Sequence, residues 1–285
     1  SKLVEEFVMY PNLVFSRSRL LALGIVAGLI GLLVSASILR AEPVARLVIG
    51  VQTSQTSREL NERYANTAQR LRDRIREATG NTVEVRFVPL ASQQAAITAL
   101  TKGQLDVVAL EPTGFVSAVK SQPHVTLLCE QREGGREVRG AIIVHGENNA
   151  KSLPELAGQT VAFGPKYAAT TGLIAQAEFV RSAVRRYDVL PVVGIDRNQV
   201  LAGVRAGDFA AGAIDYTTNF EATGIRVLCR YQSLGTLWAS RVEVDAMTNL
   251  AIQNALLQDP DFCIVNENEL TTFRDSFNLG LKFDN

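Results

Sequence analysis

Residues 99–111, ALTKGQLDVVALE, and residues 203–215, GVRAGDFAAGAID, carry one pattern twice. Each reads as a helix end, a glycine stop, a buried apolar strand and then an acid at the strand's C-terminal end. Glycine suits such a stop because it adopts the left-handed conformation in which the last helical carbonyls find donors. A short, unbroken apolar run after the stop reads as a strand covered on both faces, the kind found in a parallel sheet beneath helices. Two such units predict two α/β lobes; two independent copies of a common βα unit would give the same pattern. Ligands of open parallel sheets bind beyond the carboxyl ends of the strands. Glu111 and Asp215 are therefore expected at a cleft shared by the lobes.

Working outward, the first unit completes a β-α-β-α-β series. Arg46 to Val51 is a buried strand that ends in polar Thr53 and Ser54. Glu59 to Thr79 is an amphipathic helix with Leu60, Tyr64, Ala68, Leu71, Ile75 and Ala78 on one face and Gly80 as its stop. Thr82 to Val88 alternates as a second strand, Ser92 to Lys102 is a helix, and Leu105 to Leu110 is the third strand. This order requires parallel pairing. Around the second unit, strands are predicted at Val125–Glu130, Ala141–Val144, Thr160–Phe163, Phe209–Ile214 and Ile225–Cys229. Helices are predicted at Thr171–Arg186 and Asp196–Ala206. Capping-box spacings stand at Ser152/Glu155 and Asp196/Gln199.

Composition narrows the function. Twenty-nine basic and 29 acidic residues balance to zero in 285 residues, which argues against a nucleic-acid partner. The arginines from Arg63 to Arg76 alternate with Glu62, Asp73 and Glu77, the mark of a solvated helix face. Three cysteines without a C-x-x-C pair exclude a disulfide scaffold and a zinc ribbon. Cys129 and Cys229 end two similar strands; free thiols are the first reading and a disulfide between them is the alternative. No G-x-S-x-G, Walker A, H-E-x-x-H or tandem-glycine fingerprint occurs, so neither an enzyme nor a cofactor is expected.

Residues 20–39, LLALGIVAGLIGLLVSASIL, carry no charge. At about 1.5 Å per residue this run spans about 30 Å, the thickness of a bilayer core. Arg17 and Arg19 precede it, as in a signal segment, and Val34-Ser35-Ala36 and Ala41 offer small-residue cleavage sites. Residues 1–19 exceed a minimal leader, and the expectation is an uncleaved single-pass anchor in the plasma membrane. Residues 1–19 would form a cytoplasmic tail, and the globular part would be extracytoplasmic. No cysteine follows the run, so it does not read as a lipoprotein.

Several segments resemble the phosphate/phosphite/phosphonate-binding proteins of ABC importers. They are Tyr64-Ala65-Asn66-Thr67-Ala68-Gln69-Arg70-Leu71, Val88-Pro89-Leu90, Gly103 through Thr113, Ser152 through Phe163, and Ala169-Thr170-Thr171-Gly172. The resemblance implies a type II periplasmic-binding fold, with lobe 1 at 47–130, lobe 2 at 136–230 and a return to lobe 1 at 235–285. The crossings would lie near Cys129–Arg139 and Cys229–Leu237. It further implies that Thr170, Thr171 and the amides through Gly172 cradle an oxyanion at a helix N-terminus, where plain N-capping is the competing reading. Asp215 matches an acid that meets a ligand ammonium in aminophosphonate binders, or else caps the following turn. With Glu111, Thr113, Thr53 and Ser54 these residues form the expected ligand set. The partners implied are a small oxyanion or phosphonate, the membrane through residues 20–39, and a permease. The departures are Glu111 where the family has glycine, Phe115 where it has tyrosine, and Ala91-Ser92-Gln93 where it has an aromatic turn. They leave an alternative, a non-catalytic accessory or structural subunit of a membrane complex that retains the binding fold.

Overall fold

The computed structural model describes residues 46–121, 125–132, 135, 137–216, 224–241 and 243–284. The tail 1–19 and the apolar run 20–39 lie outside the described residues. Among the described residues no helix is long and apolar enough to cross a membrane.

Strand β1 (Arg46–Gln52) buries Leu47, Ile49 and Val51, and pairs in parallel with β2 (Glu84–Leu90) and β3 (Val107–Leu110). Parallel neighbours need crossovers. These are α1 (Ser57–Arg63) and α2 (Ala65–Thr79) between β1 and β2, and α3 (Gln93–Thr101) between β2 and β3. The single helix expected over 59–79 is two helices. The backbone turns at Tyr64 (φ −98°, ψ 16°), whose ring stacks on Phe87 with centroids 4.8 Å apart. Thr56 and Glu59 start α1 with a capping box, and Gly80 ends α2 in the left-handed region at φ 75°. Helix α4 (Pro112–Ser121), absent from the sequence reading, follows β3 at once and begins with proline, which suits a first turn that has no use for the missing N–H.

The first sheet is completed by β4 (Val125–Gln131), β10 (Thr236–Arg241) and β11 (Phe262–Cys263), in the order β11-β4-β10-β3-β1-β2. The second sheet has the order β7-β6-β8-β5-β9. Its strands are β5 (Val138–His145), β6 (Thr160–Phe163), β7 (Leu190–Val193), β8 (Ala211–Asp215) and β9 (Ile225–Ser233). A π-helical turn at Ala169–Leu173 runs into α5 (Ile174–Arg181), shorter than the helix expected to reach Arg186. Helix α6 (Arg197–Ala206) carries the expected Asp196/Gln199 capping box. At Ser152 the box does not form: residues 153–156 make a 3-10 turn, and Glu155 instead accepts from the Ser152 hydroxyl (2.7 Å) and the Lys151 N–H (3.1 Å). The result is a mixed α/β fold of two sheets.

The chain passes between the sheets after β4 and again between β9 and β10, and the passages touch. Buried Glu130 accepts from the Gly235 N–H at 2.6 Å, and Arg132 bridges Glu130 and Glu269, each at 2.9 Å. A side chain at position 235 would put its Cβ 2.2 Å from the Gln131 carbonyl oxygen, so glycine is needed there. Helix α7 (Ala246–Leu256) packs on α2. Helix α8 (Glu267–Gly280), expected with the first lobe, packs instead on α5, and Phe283 beyond it meets Phe163 and Phe179 edge-on at 5.6 and 6.1 Å. Apolar aromatics settle the matter: Phe283 is buried and completes the core of the second sheet. The cysteines are free thiols; Cys129 and Cys229 belong to β4 and β9, in different sheets, so the alternative disulfide is not formed.

Candidate functional site

Strands β3 and β8 end on the same gap between the sheets. Glu111 follows β3, and its carbonyl accepts from the N–H groups of Gly114 (2.9 Å) and Phe115 (3.0 Å), which makes it the start of α4. Its carboxylate reaches the second sheet's side of the gap, where Oε2 accepts from the Ala169 N–H at 3.4 Å. Asp215 ends β8, and its Oδ1 accepts from the Thr170 hydroxyl. The Thr170 carbonyl in turn accepts from the buried phenol of Tyr231 on β9 at 2.6 Å. Burial holds the Tyr231 phenol well above its usual pKa, so it stays a neutral donor. Its ring lies where a Cβ at Gly140 would stand, 2.1 Å away, so this contact requires glycine on β5.

Ala169, Thr170 and Thr171 form the first turn of the helical run that becomes α5. Such a turn leaves N–H groups without intrahelical partners, and the helix dipole adds positive potential. Glu111, Thr170, Asp215, Gln131 and Thr236 line one cavity of about 220 Å3. A neighbouring cavity of about 470 Å3 shares Glu111, Gln131 and Thr236 and adds Thr53, Arg63, Tyr64 and Asp261. Trp238 Nε1 donates to Gln131 Oε1 at 3.0 Å, a bond that uses the amide oxygen of Gln131 and neither of its Nε2–H donors. The Arg63 guanidinium lies 5.5 Å above the Tyr64 ring. Enclosure by protein raises the Glu111 pKa; the Ala169 N–H opposes this, and the nearby charge of Asp215 adds to the rise. Among the described residues no group of three or more His, Cys, Asp or Glu is placed to hold a metal ion.

Of the residues expected from sequence, Glu111, Thr170 and Asp215 meet in one cavity, and Thr53 lines the adjoining one. Ser54 lines a third, open cavity with Thr53. Thr113 is buried and spans the gap, its hydroxyl donating to the Tyr167 carbonyl at 2.6 Å. Thr171 and Gly172 support the turn. The Thr171 carbonyl accepts from the Gly164 N–H (2.9 Å), and the Gly172 N–H is spent on the Ala168 carbonyl (3.1 Å). Gln131, Thr236, Arg63 and Tyr231 were not anticipated. Gln131, a polar residue at the end of a strand, carried a usable signal; Tyr231 carried none, because its role depends on Gly140 in another strand.

A family model described as ABC transporter, phosphonate, periplasmic substrate-binding protein matches residues 49–261. No curated protein matches the sequence. Among solved structures, XAC2383 from Xanthomonas citri bound to ATP is similar at a TM-score of 0.69 and 15% identity, over 84% of this chain and 99% of that one. PhnD1 from Prochlorococcus marinus in complex with methylphosphonate is similar at 0.61 and 15% identity, over 83% and 98%. The periplasmic aliphatic sulphonate binding protein SsuA from Escherichia coli is similar at 0.55 and 16% identity, over 82% and 86%. At these identities the structures testify to the fold.

Proposed function

The chain belongs to the family of phosphonate ABC-transporter periplasmic substrate-binding proteins, and we propose from this that it binds a small phosphonate or related oxyanion in the gap between its sheets and delivers it to a permease. Thr170 and the first-turn amides would hold the anion, with Gln131 and Thr236 facing it from the other side. Thr53 and Arg63 would line the continuation of the cleft. Asp215, which accepts from the Thr170 hydroxyl in the structure, would release that donor to the anion and meet any ammonium group on the solute. Residues 20–39 would tether the globular part to the outer face of the plasma membrane. One observation supports the reading best: donors from both sheets, joined by touching chain passages, line one cavity. Lobe closure about those passages is the motion this arrangement allows. Calorimetry of the full chain in mild detergent, titrated with methylphosphonate and with inorganic phosphate, tests it. Heat of binding that is lost in Thr170→Val is the expected result, and no heat with either anion overturns it.

The carboxylate of Glu111 at the start of the α5 run favours a second reading, that of an accessory subunit retaining the fold. Co-purification with other membrane subunits, together with silence toward both anions, selects it.

A further inference from the structure

Two helical runs begin at the gap from opposite sides, α4 at Pro112 and the α5 run at Ala169. Each presents the positive end of its dipole, so an anion between them is favoured. The chain supplies one itself. Glu111 stands at the start of α4 and accepts from the first amide of the opposing run. The bond is 3.4 Å long, at the outer limit for N–H···O, which marks a contact that a better-placed oxygen can replace. Among the described residues no ion pair holds Glu111. The charged and titratable groups that line the two cavities with it are Asp215 from β8 and, in the adjoining one, Arg63, Tyr64 and Asp261. The Thr113 hydroxyl bond to the Tyr167 carbonyl closes the same gap two residues further on.

We propose that Glu111 is a specificity-determining residue whose carboxylate takes the seat of the solute oxyanion at the Ala169 amide, so that an anionic solute binds only by displacing it. The proposal rests on the solute-binding reading above. It follows that a dianion meets two carboxylates, Glu111 and Asp215, before it meets the amides. The cleft therefore disfavours doubly charged phosphate and admits solutes able to push Glu111 aside or compensate its charge. The raised pKa of Glu111 agrees with a carboxylate held in such surroundings.

The test compares the full-length protein with Glu111→Gln and Glu111→Asp in mild detergent. Affinity for methylphosphonate is measured by calorimetry, and the Ala169 amide is followed by 15N-edited NMR. The glutamine keeps the size and loses the charge; the aspartate keeps the charge and loses one methylene of reach. Both variants are expected to bind about tenfold more tightly than the unsubstituted protein, the gain from removing one charge-assisted competitor. The Ala169 resonance is expected to move on either substitution without ligand and to move in the unsubstituted protein when methylphosphonate is added. Equal affinity in all three proteins overturns the proposal and leaves the solute-binding reading intact. An aspartate variant that behaves as unsubstituted also overturns it, because net charge alone would then be acting. No binding by any of the three removes the solute-binding reading and the displacement with it. A cooperative melting transition in each variant confirms that it is folded.

Discussion

The two units 99–111 and 203–215 share a backbone plan and differ in what their side chains hold. Both helices stop at a left-handed glycine, Gly103 at φ 67° and Gly207 at φ 84°, and both strands end at the gap between the sheets. Three aligned positions then diverge. Asp106 accepts from the Val48 N–H at 2.8 Å and takes two bonds from Arg241, at 3.1 and 2.8 Å, while its counterpart is Ala210. Val108 is buried in the first sheet, whereas at Gly212 a Cβ would lie 2.3 Å from Val200 Cγ1 on α6. Glu111 reaches across the gap, while Asp215 accepts from Thr170 on its own side. The shared features are those that any helix-to-buried-strand passage needs. The divergent ones decide which neighbours the strand is tied to and what charge the gap presents.

The largest effect should come from Asp106, which ties three strands of the first sheet together and has no equivalent in the second. Asp106→Ala leaves the Val48 N–H without its acceptor and the Arg241 guanidinium with the longer ion pair to Glu243, at 3.7 Å. Removing one member of a buried pair costs about 3–5 kcal/mol; Arg241 keeps 30% of its side chain exposed, so a loss of roughly 2–3 kcal/mol is expected by urea denaturation. A loss under about 0.5 kcal/mol would make the two units energetically alike at this position. Next in size is Gly212→Val, which copies the first unit's residue into the second. The added side chain must push Val200 and Val204 away from β8, and overpacking of this kind costs about 1–3 kcal/mol. A neutral result would show that α6 moves off β8 without cost.

This comparison also explains what the sequence could and could not tell. The β-α-β-α-β series, the glycine stops and the acids at both strand ends are local patterns, and the structure contains them. Local pattern does not carry distance between segments. The break at Tyr64 depends on Phe87 lying beneath the ring, and α8 turns to the second sheet because Phe283 finds Phe163 and Phe179 there. In the site, Asp215 and Glu111 were legible because strand ends have known chemistry, and Thr170 through the family resemblance of its segment. Tyr231 was not, since it is placed by Gly140 far away in the chain, and Gln131 offered only a polar side chain at a strand end, its orientation being set by distant Trp238. Thr113 was legible as a polar residue at the cleft, yet only the fold reveals that its hydroxyl is spent on the Tyr167 carbonyl.

The smallest effect bears on the two strand-end acids directly, and its sign matters more than its size. Desolvation between the cleft walls, although the side chain keeps an exposed face, and the charge of Asp215 raise the Glu111 pKa in the folded state above the ordinary 4.5. Between that value and the raised one, the folded protein binds more protons at this site than the unfolded chain does. The contribution of Glu111 to unfolding free energy therefore falls as pH rises through the window. Glu111→Gln removes this slope. The stability of the glutamine variant relative to the unsubstituted protein should then increase as pH rises from below 4.5, and level off once Glu111 is ionised in both states. The comparison is made between two proteins that share every other carboxylate. Asp245 and Asp284, whose pKa values are lowered by their Thr248 and Lys166 partners, therefore cancel from the difference. A stability difference that is flat with pH would mean that Glu111 titrates alike folded and unfolded. The acid at the end of β3 would then be a solvated strand terminus, ionised at neutral pH like any exposed carboxylate.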